Sequence, residues 1–433
     1  MSPPSARVAS PEDRALISAC AKLLFENGET TRWTILAVER LGAALGFRAT
    51  VYPRWDELSV RIDDAAGARY EIVAAAPLGV DMSKVAATIA VIDALHEGRI
   101  DADQARASIE DVSRRNPVAL PRFALMAGAG AAALGVIFGV ADIVVLAVIA
   151  CRAAAGGWLR RVLSWLSGNP FVQPFCAAFL AGAVGAFAVW LGLGTPQRLI
   201  ALCPCMVLVP GPHLLNGTID LTRGRIALGA SRVAYACGIT LAICAGLILG
   251  LALGGVDLPV SAPMRSVPLA YDVVAAGVAV AAYGTFFALP WRMLPIPILI
   301  GMAAHASRWA MIVWAGASAE TGALVACLLV GIVVTPVTDR LRLPFAAFAF
   351  ASVVSMIPGV YLFRMADGLV QLMGQGRAAP YDLLLGTTVD GITAFLIILV
   401  MTFGLIVPKM CIEFFYPPYE ASSAKPDAGA KSH

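Results

Sequence analysis

Residues 204–232 read PCMVLVPGPHLLNGTIDLTRGRIALGASR, and the fold turns on how this stretch is taken. It lies in a strongly apolar region, yet it carries Pro204, Pro210, Gly211, Pro212, His213, Asn216 and Asp220. Three prolines remove three backbone donors, so an uninterrupted membrane helix would not be built this way. An imidazole, a carboxamide and a carboxylate follow the freed carbonyls within roughly three helical turns. Non-helical backbone at bilayer depth is tolerated only where protein buries it or it lines a wet cavity. The stretch is therefore a candidate solute site. The competing reading is a proline kink at a helix end, with Asn216 and Asp220 already in an aqueous loop.

A second copy lies downstream. Residues 357–369 read IPGVYLFRMADGL, and aligning Pro358-Gly359 on Pro210-Gly211 sets an offset of 148 residues. At that offset His213 meets Tyr361, Asn216 meets Arg364 and Leu221 meets Leu369, while Asp220 and Asp367 miss each other by one position. The same offset carries the apolar runs at 123–141, 171–192 and 231–254 onto 271–289, 319–340 and 379–402. The chain beyond residue 122 reads as a duplicated unit. Broken segments at matching positions of two halves point to a binding site formed by Pro210, Gly211, His213 and Asn216 with Pro358, Gly359, Tyr361 and Arg364.

Composition agrees. The 433 residues are 59% hydrophobic and 14% charged, which describes a polytopic membrane protein rather than a soluble globule. A net charge of +3 gives no argument for nucleic acid. Eight of the nine cysteines, Cys151 to Cys411, fall in or beside apolar segments and read as small packing residues. Cys203-Pro-Cys205 lacks the spacing of a metal-binding pair, and no metal or cofactor is expected. The N-terminus has no apolar core of a signal peptide, which places the first 120 or so residues in the cytosol.

Residues 1–121 read as a small α+β domain. Helices are expected from Pro11 to about Phe25, from about Thr30 to Leu45, from Asp81 to His96, and from a capping box at Asp101 and Gln104 to about Arg114. Between them stand β-rich runs at 47–52, 58–62 and 69–74. Glu29 and Arg32, three apart, read as a surface ion pair. His96 reads as an ordinary helix-end histidine. No nucleophile–base pair, metal cluster or phosphate loop marks this segment as an enzyme.

About ten spans follow, each needing about 20 apolar residues. They fall near 123–140, 141–157, 171–193, 198–215, 231–254, 269–289, 294–315, 321–338, 343–363 and 383–407. Gly246, Gly250 and Gly254 form a row that allows close helix approach. With the N-terminus inside, Arg122, Arg152, Arg160, Arg161, Arg223, Arg225, Arg232, Arg292, Arg340, Arg342 and Lys409 are counted as cytoplasmic. Arg198, Arg265, Arg364 and Arg377 are counted as external. Five spans per repeat make the halves inverted, with Asn216–Asp220 toward the cytoplasm and Arg364–Asp367 outside. The expected fold is mainly α, with ten helices as two inverted five-helix repeats behind a cytosolic α+β domain. Its divisions are 1–121, 122–262, 263–410 and a cytosolic tail at 411–433.

Other polar residues sit within spans. His305 and Arg308 lie inside the seventh and need a cavity or a partner acid. Asp390 lies in the tenth, with Asp272 and Asp142 near span ends. Asp220 and Asp390 are the acids favoured to carry a coupling proton.

These motifs resemble the threonine/serine exporter family, whose members are one fused chain or two separate ones. The resemblance runs through LLFENGETTRWTILAVERLGAALG and HEGRIDADQA in the first part. In the membrane part it runs through PGPHLLNGTIDLTRG, with Asn216, Asp220, Gly224, Gly229 and Arg232, and through MIPGVYLFRMADGL. It implies a secondary transporter of the inner membrane, with both termini cytoplasmic, moving small polar amino acids outward on a proton gradient. Two-chain relatives are linked instead to dicarboxylate export. The sequence departs from the family's pattern at Trp33, where a second Arg is common, and at His213, where a small or hydroxylated residue is common. Both departures bear on the substrate more than on the fold. A zwitterion would take donors from broken-helix N-termini, with Arg364 and Arg308 assisting at its carboxylate. A dicarboxylate would give those two arginines more weight. A membrane-anchored enzyme or sensor is the third class. Expected partners are a small-molecule substrate, protons and the bilayer, without nucleic acid; a homo-oligomer is left open.

Overall fold

The computed structural model describes residues 7–190, 197–206, 208–256, 267–341 and 343–416. It divides into two compact units, each described by itself. One comprises the chain up to Arg115 with Gly331–Ala346 and the residues from Leu405 on; the other comprises Asn116–Val330 and Ala347–Gly404.

In the first unit, α1 (Pro11–Glu26) opens on a capping box, Ser10 Oγ accepting from Asp13 N and Asp13 Oδ2 from Ser10 N. Then come α2 (Thr31–Ala44) and the strands β1 (Arg48–Arg54), β2 (Glu57–Asp64) and β3 (Gly67–Ala74). The strands form an antiparallel meander in the order β1-β2-β3, with Val51 opposite Val60 and Leu58 opposite Val73. Leu58, Val60 and Ile62 alternate inward on the central strand, and α1 and α2 pack on the sheet. Asp81 caps α3 (Met82–His96), and Asp101 with Gln104 makes the capping box of α4 (Ala102–Arg114). The helices and strands thus stand where caps, stops and alternation put them.

The Glu29–Arg32 surface pair is corrected. Glu29 is buried, its Oε1 accepting from Thr30 N at 2.6 Å, and Arg32 reaches Glu413 Oε2 at 2.6 Å instead. Sequence proximity predicted a local partner; a residue 381 positions away supplies it.

The second unit is helical. Its elements are α5 (Leu120–Ile137), α6 (Ile143–Leu166), α7 (Val172–Trp190), α8 (Gln197–Met206), α9 (Gly211–Thr222), α10 (Ile226–Ala252), α11 (Leu269–Phe286) and α12 (Pro295–Val313). α13 (Ala319–Leu341), α14 (Phe345–Val353), a 3₁₀ turn (Val354–Met356), α15 (Gly359–Gln375) and α16 (Tyr381–Phe415) follow among the described residues, α13, α14 and α16 each being shared between the units. Helix starts recur at the predicted spacing: Gln197 and Phe345 open α8 and α14, and Gly211 and Gly359 open α9 and α15. The corresponding helices α5 and α11 pack together through Ala133, Ala275 and Ala279. The glycine row also acts as expected, since a Cβ on Gly250 would lie 2.7 Å from Ala183 N of α7.

Among the described residues eight helices are long and apolar enough to cross a bilayer. A ninth span forms if Phe345–Met356 and Gly359–Ala378, bent by 63°, are counted as one. The reading of ten differs because the fourth expected span divides into α8 and α9, of 10 and 12 residues. Each is short of the roughly 20 a crossing needs.

The second span is longer than 141–157. Asp142 caps α6, Oδ1 accepting from Val144 N at 2.8 Å, and the helix runs to Leu166. Arg152 therefore lies buried inside a helix, as does Arg232 in α10, and neither is a loop charge. Arg364 likewise falls within α15 rather than in an external loop. The division at 262/263, Arg265, Arg342 and the tail beyond Tyr416 lie outside the described residues.

Candidate functional site

Each proline-glycine break packs against the segment that precedes the other. At the first, Pro210 stands before α9 with φ −84° and ψ 59°, and Gly211 N turns back to Val209 O at 3.0 Å. At the second, Pro358 has φ −77° and ψ 40°, and Gly359 N turns back to Ile357 O at 2.8 Å. Identical dipeptides thus make the same turn in both halves. Phe350 of α14 fills the space that a side chain at Gly211 would take, and a Cβ on Gly359 would lie 2.8 Å from Met206 Cγ at the end of α8. Each break is seated against the other half. Tyr283 of α11, fully buried, donates its hydroxyl to Met206 O at 2.7 Å and so satisfies a carbonyl at the first break.

The residues after the first break are inside the protein. His213, Asn216 and Asp220 are 9%, 4% and 0% exposed, which removes the reading that put Asn216 and Asp220 in an aqueous loop. His213 meets Tyr235 of α10 edge-on, with ring centroids 5.1 Å apart. Asp220 faces two guanidinium groups, Arg232 Nη1 at 3.2 Å and Arg225 Nη1 at 3.3 Å. A buried carboxylate requires such compensation.

The second half reverses the charges. Arg364 on α15 pairs with Asp390 on α16 at 3.0 Å, whereas in the first half the acid is on α9 and the bases follow it. Tyr361, one turn before Arg364, lies within electrostatic reach of Arg308, Arg364, Asp390 and Glu320. Arg308 on α12 also interacts with Asp272, and its Nε is buried without a hydrogen-bond partner. His305 turns to the same acid as Arg308. It binds Asp272 Oδ2 through Nδ1 at 3.0 Å and Ser355 Oγ through Nε2 at 2.6 Å.

Sequence reasoning missed two groups. Ser355 carries no spacing signal toward His305, and only its position just before Ile357-Pro358 could have singled it out. Arg152 and Arg160, counted as cytoplasmic charges, line a cavity of about 20 Å³ with Pro204, Leu208, Ala177 and Phe286. Arg152 donates to Ala181 O, and Arg160 stands 4.7 Å over the Phe286 ring. Their spacing of two helical turns on α6 could have revealed a shared face.

Apolar helices, two helix breaks each seated against the other half and buried ion pairs describe a multi-pass membrane protein. The family described as "Putative threonine/serine exporter" matches residues 15–254, and that described as "Threonine/Serine exporter, ThrE" matches residues 272–411. The chain belongs to the threonine/serine exporter family, which is a family of transporters and not of enzymes. It is 26% identical over 342 residues to a "Probable threonine/serine exporter" of Mycobacterium tuberculosis, covering 71% of this chain and 61% of that protein. It is 28% and 29% identical over 121 residues to the "Probable succinate transporter subunit YjjP" of Klebsiella aerogenes and of Escherichia coli, each covering 24% of this chain and 47% of the relative. The chain thus spans about half to three-fifths of the length of these relatives. No solved structure matches it.

Proposed function

We propose that this protein exports a small zwitterion of the threonine/serine kind across the inner membrane, by alternating access between two inverted repeats. The observation that carries the reading is the reciprocal seating of the breaks, Gly211 against Phe350 and Gly359 against Met206. Residues flanking both breaks then contact one substrate, and exposing them to one side and then the other moves it. Pro210, Gly211, His213, Asn216, Pro358, Gly359 and Tyr361 belong to this site. Arg364 is held in an ion pair with Asp390 at 3.0 Å, and Arg308, which has Asp272 within electrostatic reach and a buried Nε, takes the substrate carboxylate. The Asp220 and Asp390 pairs hold the segments after each break against α10 and α16 and exchange partners as the carrier turns. Both termini lie in the cytoplasm, and the α+β segment regulates transport.

A dicarboxylate is the second reading. The guanidinium groups of Arg152 and Arg160 line a space beside the first break that holds about one water as it stands, and would suit two carboxylates once it widens as the carrier turns. The similarity of one segment to a succinate transporter subunit favours it too.

The deciding experiment is counterflow in vesicles carrying the purified protein, with labelled threonine, serine, succinate and malate. Exchange of the amino acids, reduced roughly tenfold or more by Arg308→Gln, supports the first reading. Exchange of the diacids alone, lost on Arg160→Gln, replaces it with the second.

A further inference from the structure

We propose that Asp272, His305 and Ser355 form the proton-binding element of this transporter. They come from three separate parts of the chain: the first turn of α11, the middle of α12, and the 3₁₀ turn just before Pro358. Their exposures are 5%, 0% and 3%, so bulk water does not explain the geometry. Both ring nitrogens are engaged, Nδ1 with Asp272 Oδ2 at 3.0 Å and Nε2 with Ser355 Oγ at 2.6 Å.

The hydrogen bonding has two self-consistent states. An ionised carboxylate only accepts, so the neutral ring carries its hydrogen on Nδ1 and accepts the Ser355 hydroxyl hydrogen at Nε2. An added proton goes to Nε2. The imidazolium then donates to both partners, and Ser355 Oγ turns from donor to acceptor. One proton thus reverses the hydrogen bond made by a residue three positions before Pro358, at the bend of the second broken span. The proton enters an ion pair with Asp272, so the buried charge is compensated in both states.

Among the described residues, the Asp220 and Asp390 pairs of this unit contain no histidine. Asp220 faces Arg225 and Arg232, and Asp390 faces Arg364. Arginine keeps its proton throughout the physiological range, whereas histidine changes charge there. Asp272 from α11 and Ser355 from the 3₁₀ turn face His305, and Arg308 on α12 interacts with Asp272; Arg308 in turn reaches Cys327 on α13 and Tyr361 on α15, and Tyr361 reaches Glu320 on α13 and Arg364 on α15. Asp390 of α16 follows behind Arg364. Arg308 interacts with both Asp272 and Tyr361, so a charge appearing on His305 alters the field at the group assigned to the substrate carboxylate. Linkage then makes substrate affinity depend on the proton, and proton affinity on the substrate.

The coupling role rests on the transporter reading, but the proton site is tested without substrate. Imidazole ¹⁵N spectra of the purified protein, with the His305 signal assigned through His305→Gln, should show the ring changing between neutral and charged forms as the pH is varied. Asp272→Asn should alter that change in favour of the neutral ring, because it removes the compensating charge. Ser355→Ala, a loss of one oxygen, should displace it without abolishing it. A ring that keeps one form from about pH 5 to 9 in the wild type overturns the proposal. In vesicles, a pH gradient should accumulate labelled threonine in the wild type, and His305→Gln should reduce accumulation roughly tenfold while size-exclusion behaviour stays native. Accumulation equal to wild type overturns the coupling. Counterflow without gradient-driven accumulation in the wild type overturns it too, while leaving the substrate reading intact. Absence of any exchange overturns the substrate reading, and the spectra still decide the proton site.

Discussion

Phe350 occupies the space that any side chain at Gly211 would need, so the first helix break is seated on a ring from the second half of the chain. Gly211→Ala should therefore reduce threonine counterflow strongly by forcing the two breaks apart. Phe350→Ala on top of it should restore part of the activity by opening the missing volume. A double variant no better than the single one argues that the glycine is needed for backbone conformation rather than for clearance.

Asp220 is the best enclosed acid of its half, held by Arg232, itself 1% exposed, and by Arg225. Asp220→Ala should lower stability by about 3–5 kcal/mol, since a guanidinium is left buried without its carboxylate. Pairing Asp220→Leu with Arg232→Met should recover most of that loss. Thermal unfolding in detergent measures both, and an unaffected melting temperature in Asp220→Ala would show that the pair contributes little.

The proposed inversion of the two halves predicts a sidedness. Thr222 ends α9 and Gln375 ends α15, at the far ends of the two segments that follow the breaks. Single cysteines there, in a background without the native nine, should react with an impermeant maleimide from opposite faces of the membrane. Labelling from one face would exclude inversion.

Arg32 and Glu413 join the start of α2 to the last turns of α16, and Lys409 extends the contact, with Glu413 Oε1 at 3.0 Å and Asp339 Oδ1 at 3.9 Å. Arg32→Ala should change the maximal transport rate several-fold and leave the half-saturating substrate concentration within about twofold, because uniform binding is untouched. A shift confined to the half-saturating concentration would place Arg32 at the substrate instead.

Much of this protein is written in local sequence. Apolar runs longer than a bilayer is thick name a membrane protein whatever their packing. Pro210-Gly211 and Pro358-Gly359 break their helices because proline has no amide hydrogen to give, so both breaks and their spacing are legible without any fold. The caps at Ser10, Asp81 and Asp101 set helix starts through contacts three residues long. Partnership between buried charges is of another kind. Arg32 looked toward Glu29 and found Glu413; Arg152 and Arg232 looked like loop charges and lie inside helices. His305 needed an acid, and that acid stands 33 residues before it with a serine 50 residues after. Which side chains meet across packed helices depends on the rotation and depth of each helix against its neighbours, quantities that spacing along one chain does not contain. The sequence by itself therefore determined the membrane class, the broken helices and the duplication of their pattern, while only the tertiary structure decided which charge answers which.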